Sequence, residues 1–349
     1  MSAARAPLAA AIAEESAADR RPFARWFAAC FAITLLLMFG GLLVGTSSIH
    51  TSLHWIFAPS AQTSLVLWDI RLPRTIGAWC VGALLGLAGA IAQGVFRNPL
   101  AEPYLLGTAS GAALGVTVAL LASGASMGAL AWAAQLGLTG AAVVGACVSI
   151  VLTVALARGV LQTSNLLLSG IVVGFLLAAV TSLLLLAKPD MWRTMQVFLL
   201  GTTGFLGWRA TGLLAAVLVV CAVPATLLSR GLDALTLGED TARSLGLSLP
   251  VLRLALLGIV SLATAAVVGE VGVVGFVGLV APHLARETLS VNHRHLLIAS
   301  PLCGGALLLA ADLVSRWVVR PAELPVGAVT ACVGGAYLAL LLWRRTRDA

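Results

Sequence analysis

Between Thr75 and Phe96 the chain reads TIGAWCVGALLGLAGAIAQGVF, a run without a charged side chain that stops at Arg97-Asn98-Pro99. Crossing a bilayer takes about 20 apolar residues, and only a helix or a closed barrel satisfies every backbone group there. This run is long enough for one helix, and small residues one turn apart, Gly82 and Gly86, suit close packing against a neighbour. Further charge-free stretches run from Trp26 to Val44, Tyr104 to Ala157, Leu161 to Ala187, Ala210 to Ser229, Leu254 to Gly269, Val271 to Ala281, Leu296 to Ala311 and Leu324 to Trp343. The stretch from Tyr104 to Ala157 is long enough for two helices, with a break near Ala122-Ser123-Gly124-Ala125-Ser126. The stretch ending near Ala285 is short for a crossing and needs shielding by neighbours. An apolar piece between Met191 and Leu206 reads as an interfacial helix.

Composition agrees. Hydrophobic residues make up 60% of the chain and charged residues 10%, with mean hydropathy +1.03, whereas a soluble domain carries roughly 25% charge. The expected fold class is therefore an all-α polytopic membrane protein with about ten transmembrane helices. Residues 26–343 are expected to form one transmembrane domain, between a polar segment 1–25 and a tail 344–349. The polar start, with Glu14 and Glu15, shows no cleavage site, so the first span is expected to be an anchor. Glycine recurs at helical spacing again in Gly107, Gly111 and Gly115 and in Gly170 and Gly174, a pattern for tight packing rather than a pore.

The net charge of +7 comes from arginine and one lysine, Lys188. These charges sit in short gaps between apolar runs instead of on one solvated face, which excludes a nucleic-acid role. The basic loops around Arg97, Arg158, Arg230 to Arg253 and Arg286 to Arg294 are expected on the cytoplasmic side together with both termini. Six cysteines without CxxC spacing give neither a zinc site nor a disulfide scaffold, so no metal centre is expected. No cluster of His, Asp or Glu inside the spans suggests catalysis, so no catalytic residue is assigned.

Two cytoplasmic segments carry chemistry. In Arg97-Asn98-Pro99-Leu100-Ala101-Glu102-Pro103 the prolines force a bend, which serves either as a rigid turn or as part of a gate through Asn98. The loop at about 231–250 contains Leu237-Gly238-Glu239-Asp240-Thr241-Ala242-Arg243-Ser244-Leu245-Gly246. It reads as a short helix with acids at its start, a close-packing Ala242 and Gly246 as its cap, compact enough to dock into a partner.

These landmarks occur in order with Arg71-Leu72-Pro73-Arg74, Gln93, Gly275-Phe276-Val277-Gly278-Leu279-Val280-Ala281-Pro282-His283, Ala311-Asp312 and Glu323-Leu324-Pro325. Together they resemble the FecCD family over roughly residues 26 to 343. That family comprises permeases of type II ATP-binding-cassette (ABC) importers for cobalamin, haem and iron-siderophore complexes. The resemblance implies a bacterial inner-membrane subunit that pairs with a second copy of itself, two ABC ATPase subunits and a periplasmic substrate-binding protein. ATP and Mg belong to the ATPase and no cofactor to this chain, in keeping with the lack of a GxxxxGK[ST] loop.

The same resemblance places ATPase coupling at Leu237, Gly238, Glu239, Ala242, Arg243, Leu245 and Gly246. The cytoplasmic gate falls at Asn98, Leu100, Gln162, Thr163, Ser164 and Asn165, and binding-protein docking at Arg71, Arg74 and Arg316, with Arg320 as a substitute. Ion pairs Asp312–Arg316 and Asp69–Arg71 are the alternatives to docking.

Other residues have two readings. Glu270 either caps the short helix that follows it or acts as a lone acid at the membrane boundary. His283 reads as structural, and His293 with His295 as a solvated pair short of ligands for a metal. His50 and His54, in an outer loop, either are solvated or touch a haem iron in transit. On that ground haem is put slightly ahead of siderophore or cobalamin as the cargo. The second and fifth spans are taken to wall the path between two copies. An ion-coupled secondary transporter is the alternative, although nearly every charge lies close to a span end.

Overall fold

The computed structural model describes residues 5–45, 60–122, 131–157, 163–289 and 292–347, and the described residues are helical with short connections. The helices are α1 (Arg5–Leu43), α2 (Ala61–Leu65), α3 (Leu72–Phe96), α4 (Thr108–Ala122), α5 (Ala131–Leu156), α6 (Thr163–Ala187) and α7 (Trp192–Leu200). They continue with α8 (Trp208–Leu227), α9 (Ser229–Thr236), α10 (Glu239–Ser244), α11 (Leu249–Val271), α12 (Val277–Thr288), α13 (His293–Trp317) and α14 (Val326–Arg347). Seven helical stretches among the described residues are long and apolar enough to cross a membrane, while Thr108–Ala122 and Val326–Leu341 are shorter apolar helices.

The run that opened the sequence is α3, the axis of the subunit. Nearly all of its residues are buried, and α13, α8, α12 and α11 pack around it. Glycine permits this. A β-carbon on Gly82 would strike the carbonyl oxygen of Gly304, one on Gly86 that of Ser300, and one on Gly89 that of Gly278. Gly111 and Gly115 work the same way, bringing α4 against Gly145 and Ala141 of α5, while Gly107, just before α4, meets Ser149 and the α6 backbone at Gly170 and Gly174. This burial corrects one expectation: α3, the second span, is enclosed within one subunit and presents no face to a second copy. On α6, the fifth span, Leu168, Phe175, Leu183 and Leu186 stay exposed.

Boundaries also move. α1 begins at Arg5 rather than Trp26, because the alanine-rich segment before it has high helix propensity. Helix also continues through Arg71 to Arg74 back to Ala61, by way of a π-helical turn at Val66–Arg71 where Leu72 N–H donates to the Leu67 carbonyl. Pro73 lacks an N–H, and the widened turn accommodates that gap in the ladder. α11 starts at Leu249 and takes Arg253 into the helix. The apolar piece after Met191 is a short helix, α7.

α11 leads into Gly272–Phe276 and then into the short α12, as the glycines suggest. The cap differs from expectation. Glu270 ends α11 and accepts from Thr139 Oγ1 at 2.8 Å, whereas Glu102 accepts from the Phe276 backbone N–H at 2.9 Å where α12 begins. An acid suits a helix start, which made Glu270 a candidate, but the turn after Pro99 brings Glu102 there instead.

Candidate functional site

Conserving a compact α10 between two glycines requires backbone angles that only glycine adopts without cost. Gly238 has φ +110° and Gly246 φ +81°. Gly246 N–H donates to the Arg243 carbonyl at 2.9 Å and Leu247 N–H to the Ala242 carbonyl at 3.2 Å, the paired closure of a Schellman cap. Ala242 is fully buried, while Leu237 (69% exposed) and Leu245 (63%) project outward. The element thus has one face locked to the subunit and two leucines facing away.

The lock is electrostatic. Glu239 Oε1 accepts from Arg253 Nη2 at 2.7 Å and lies 3.4 Å from Arg97 Nη2, and its other oxygen lies 3.4 Å from Arg243 Nη2. Arg253 is 1% exposed, and the same Nη2 donates to Thr163 Oγ1 at 3.2 Å, at the first residue of α6. The hydrogen bond from Arg253, reinforced by the charges of Arg97 and Arg243, holds the Glu239 carboxyl below its ordinary range. One carboxylate therefore ties α10 to two other segments: Arg97, which leads into the Asn98 turn, and, through Arg253, the segment opening at Thr163.

Arg97 adopts left-handed backbone angles (φ 49°) at the end of α3. Asn98 Oδ1 then accepts from Leu100 N–H at 2.9 Å, and Asn98 and Leu100 are both exposed. Ser164 and Asn165 are exposed in the first turn of α6, whereas Gln162 lies outside the described residues. The sequence-predicted coupling and gate residues are thus neighbours at one end. Sequence reasoning missed Arg253, whose signal was an arginine near the start of the long apolar run of α11.

At the opposite end Asp312, fully buried, accepts through Oδ1 from Arg74 Nη2 (3.0 Å) and Thr203 Oγ1 (2.6 Å), and its Oδ2 pairs with Arg316. Arg74 also reaches Glu323 at 2.8 Å, and Arg316 Nη1 donates to the Gly41 carbonyl at 3.1 Å. Arg71 Nη1 donates to the Leu42 carbonyl at 2.6 Å. The Asp312–Arg316 pair weighed from the i, i+4 spacing is therefore present. Arg71, Arg74, Arg316 and Glu323 line a cavity of about 290 Å³. Nε and Nη2 of Arg320 have no hydrogen-bond partner among the described residues. Thr203 was not foreseen, since nothing marks one threonine of a loop as a partner for Asp312.

The histidines separate. His293 Nδ1 lies 2.7 Å from Asp233 Oδ1, His295 packs on Phe23, and His283 stands 3.3 Å from Glu287. No group of three metal-ligating side chains occurs among the described residues. His50 and His54 lie outside them.

With this geometry in view, comparison with known proteins is decisive. The model of the FecCD transport family matches residues 31–344. The chain belongs to the FecCD transport family. It is 38% identical over 332 residues to the vitamin B12 import system permease protein BtuC of Klebsiella pneumoniae subsp. pneumoniae, covering 93% of this chain and 96% of that one. Against BtuC of Escherichia coli O9:H4 (strain HS) the identity is 35% over 330 residues, covering 94% and 98%. An inward-facing structure of a metal-chelate type ABC transporter superposes with TM-score 0.80 at 26% identity, covering 92% of this chain and 99% of that one. This FecCD protein is the multi-pass permease subunit of a type II ABC importer, and ATP hydrolysis belongs to a separate subunit.

Proposed function

We propose that this FecCD permease carries a bulky corrinoid-type metal chelate, cobalamin, across the bacterial inner membrane between two copies of itself, with both termini and the Glu239 end in the cytoplasm. The likeness to permeases named for vitamin B12 import supports this cargo over haem. The one observation that carries the mechanism is the Glu239 junction. A force applied to Leu237 and Leu245 of α10 is delivered through the Glu239–Arg97 contact to the Asn98–Leu100 turn, and through Arg253 to Thr163–Asn165. Both gate segments then move with one lever.

ATP binding closes the ATPase pair against α10, the two segments part or close, and the chelate passes a mainly apolar wall that includes α6. At the far end Arg74 and Arg316 already neutralise Asp312, so the docking of an acidic lobe of a substrate-binding protein passes to Arg320. The test is uptake into liposomes holding the permease and its ATPase, with binding protein outside, comparing cobalamin, haem and a ferric siderophore. ATP-dependent cobalamin uptake is expected, together with its loss in Arg253→Gln while the ATPase still binds. Uptake driven by an ion gradient without ATP would overturn the importer mechanism, and preference for haem would overturn the cargo.

A further inference from the structure

Among the described residues at the Glu239 end, Arg286 is a partly buried cation without a carboxylate partner. Arg286, in the last turn of α12, is partly buried, and its Nη1 donates to Gln93 Oε1 at 2.5 Å. Among the described residues no carboxylate forms an ion pair with it within 4.0 Å. The acids nearby are already engaged. Asp233 accepts both the backbone N–H and Nδ1 of His293, and Glu239 is shared by Arg97, Arg243 and Arg253. Glu287, the next residue of α12, faces His283 and the Tyr337 hydroxyl instead. Gln93 is fixed in its orientation because its Nε2 donates to the Leu279 carbonyl at 3.1 Å.

Arg286, Arg97, His293, Gln93, Asn98 and Thr236 border a cavity of about 310 Å³ in which no acid lies among the described lining residues. A partly buried guanidinium without a carboxylate partner keeps donors to spare, and its planar fork matches the oxygens of a phosphate. We propose that this cavity binds the phosphate of an anionic phosphate compound, with Arg286 as the principal contact and Arg97 and His293 closing around it. The ligand is either the headgroup of an anionic phospholipid of the surrounding leaflet or a free phosphate, since both offer the same oxygens. The site is independent of the cargo and does not require the transport reading.

The full-length chain, delipidated in detergent, is titrated with short-chain phosphatidylglycerol or phosphatidylcholine and, separately, with inorganic phosphate or chloride at equal ionic strength. Tm is followed by tryptophan fluorescence. A saturable rise with phosphatidylglycerol but not phosphatidylcholine identifies a lipid headgroup, and a rise with inorganic phosphate above chloride identifies free phosphate. Arg286→Gln weakens the apparent affinity about tenfold or more. Gln93→Glu, which places a carboxylate on Arg286 within the cavity, does the same and serves if Arg286→Gln fails to fold. Arg25→Gln, on an exposed position of α1, leaves it unchanged. The proposal is overturned if neither phosphatidylglycerol nor phosphate raises Tm above its control, or if both cavity variants bind as the native chain does.

Discussion

Glu239 holds three arginines, and removing its charge isolates the buried one. In Glu239→Gln the Arg253 guanidinium stays in the interior without a carboxylate, so a loss of about 1–3 kcal/mol is expected, moderated because water reaches Glu239. Thermal unfolding in detergent, followed by circular dichroism, measures it. If the pair is the lever proposed above, Glu239→Gln and Arg253→Gln are non-additive, and a double variant whose loss equals the sum of the singles contradicts the coupling. The pH dependence has a definite sign. The folded carboxyl titrates below its ordinary 4.5, so its contribution is fully present above that value and is lost as pH falls through the depressed one. Glu239→Gln should remove that part of the acid sensitivity. At the other end Asp312→Asn leaves the buried Arg316 without a carboxylate beside Arg74, which keeps only Glu323, with an expected cost of about 3–5 kcal/mol read in the same melting assay.

Among the elements, the crossing of α3 and α13 depends on backbone contact where no side chain fits. Gly82→Leu is expected to abolish folded protein in gel filtration, since even its β-carbon would meet the Gly304 carbonyl. Gly258→Ala in α11, with nothing within 4 Å of the added methyl, is expected to be neutral or to stabilise by up to about 1 kcal/mol. A loss of fold in Gly258→Ala, or a native elution profile for Gly82→Leu, would refute this account of the packing. The spacing of Gly82, Gly86, Gly107, Gly111 and Gly115 was readable in the chain, and so was Gly246 as the cap of α10, because each needs only local geometry. The start of α1, the π-helical turn before Pro73 and the inclusion of Arg253 in α11 were not readable, because charge was taken to mark the end of a span. Arginines paired inside the subunit do not obey that rule.

For the whole molecule, enclosure of α3 and exposure of α6 make a prediction about accessibility. In a cysteine-free background within liposomes, Phe175→Cys on α6 (75% exposed) should react with a membrane-permeant thiol reagent, and Ala88→Cys on α3 (0%) should not. Equal labelling of the two would show that the second span is not sealed inside the subunit. The chain by itself determined the solvent, the all-helical class, the family and the two segments at the Glu239 end, since long uncharged runs in lipid admit only helices and their connecting motifs are local. Only the tertiary structure decided which helix is central, that Glu102 rather than Glu270 meets the start of α12, that Thr203 joins Asp312, and that Arg286 faces a cavity with no acid among its described lining residues. Those are contacts between residues far apart in sequence, and they are set by how helices pack in three dimensions, for which a one-dimensional pattern carries no signal.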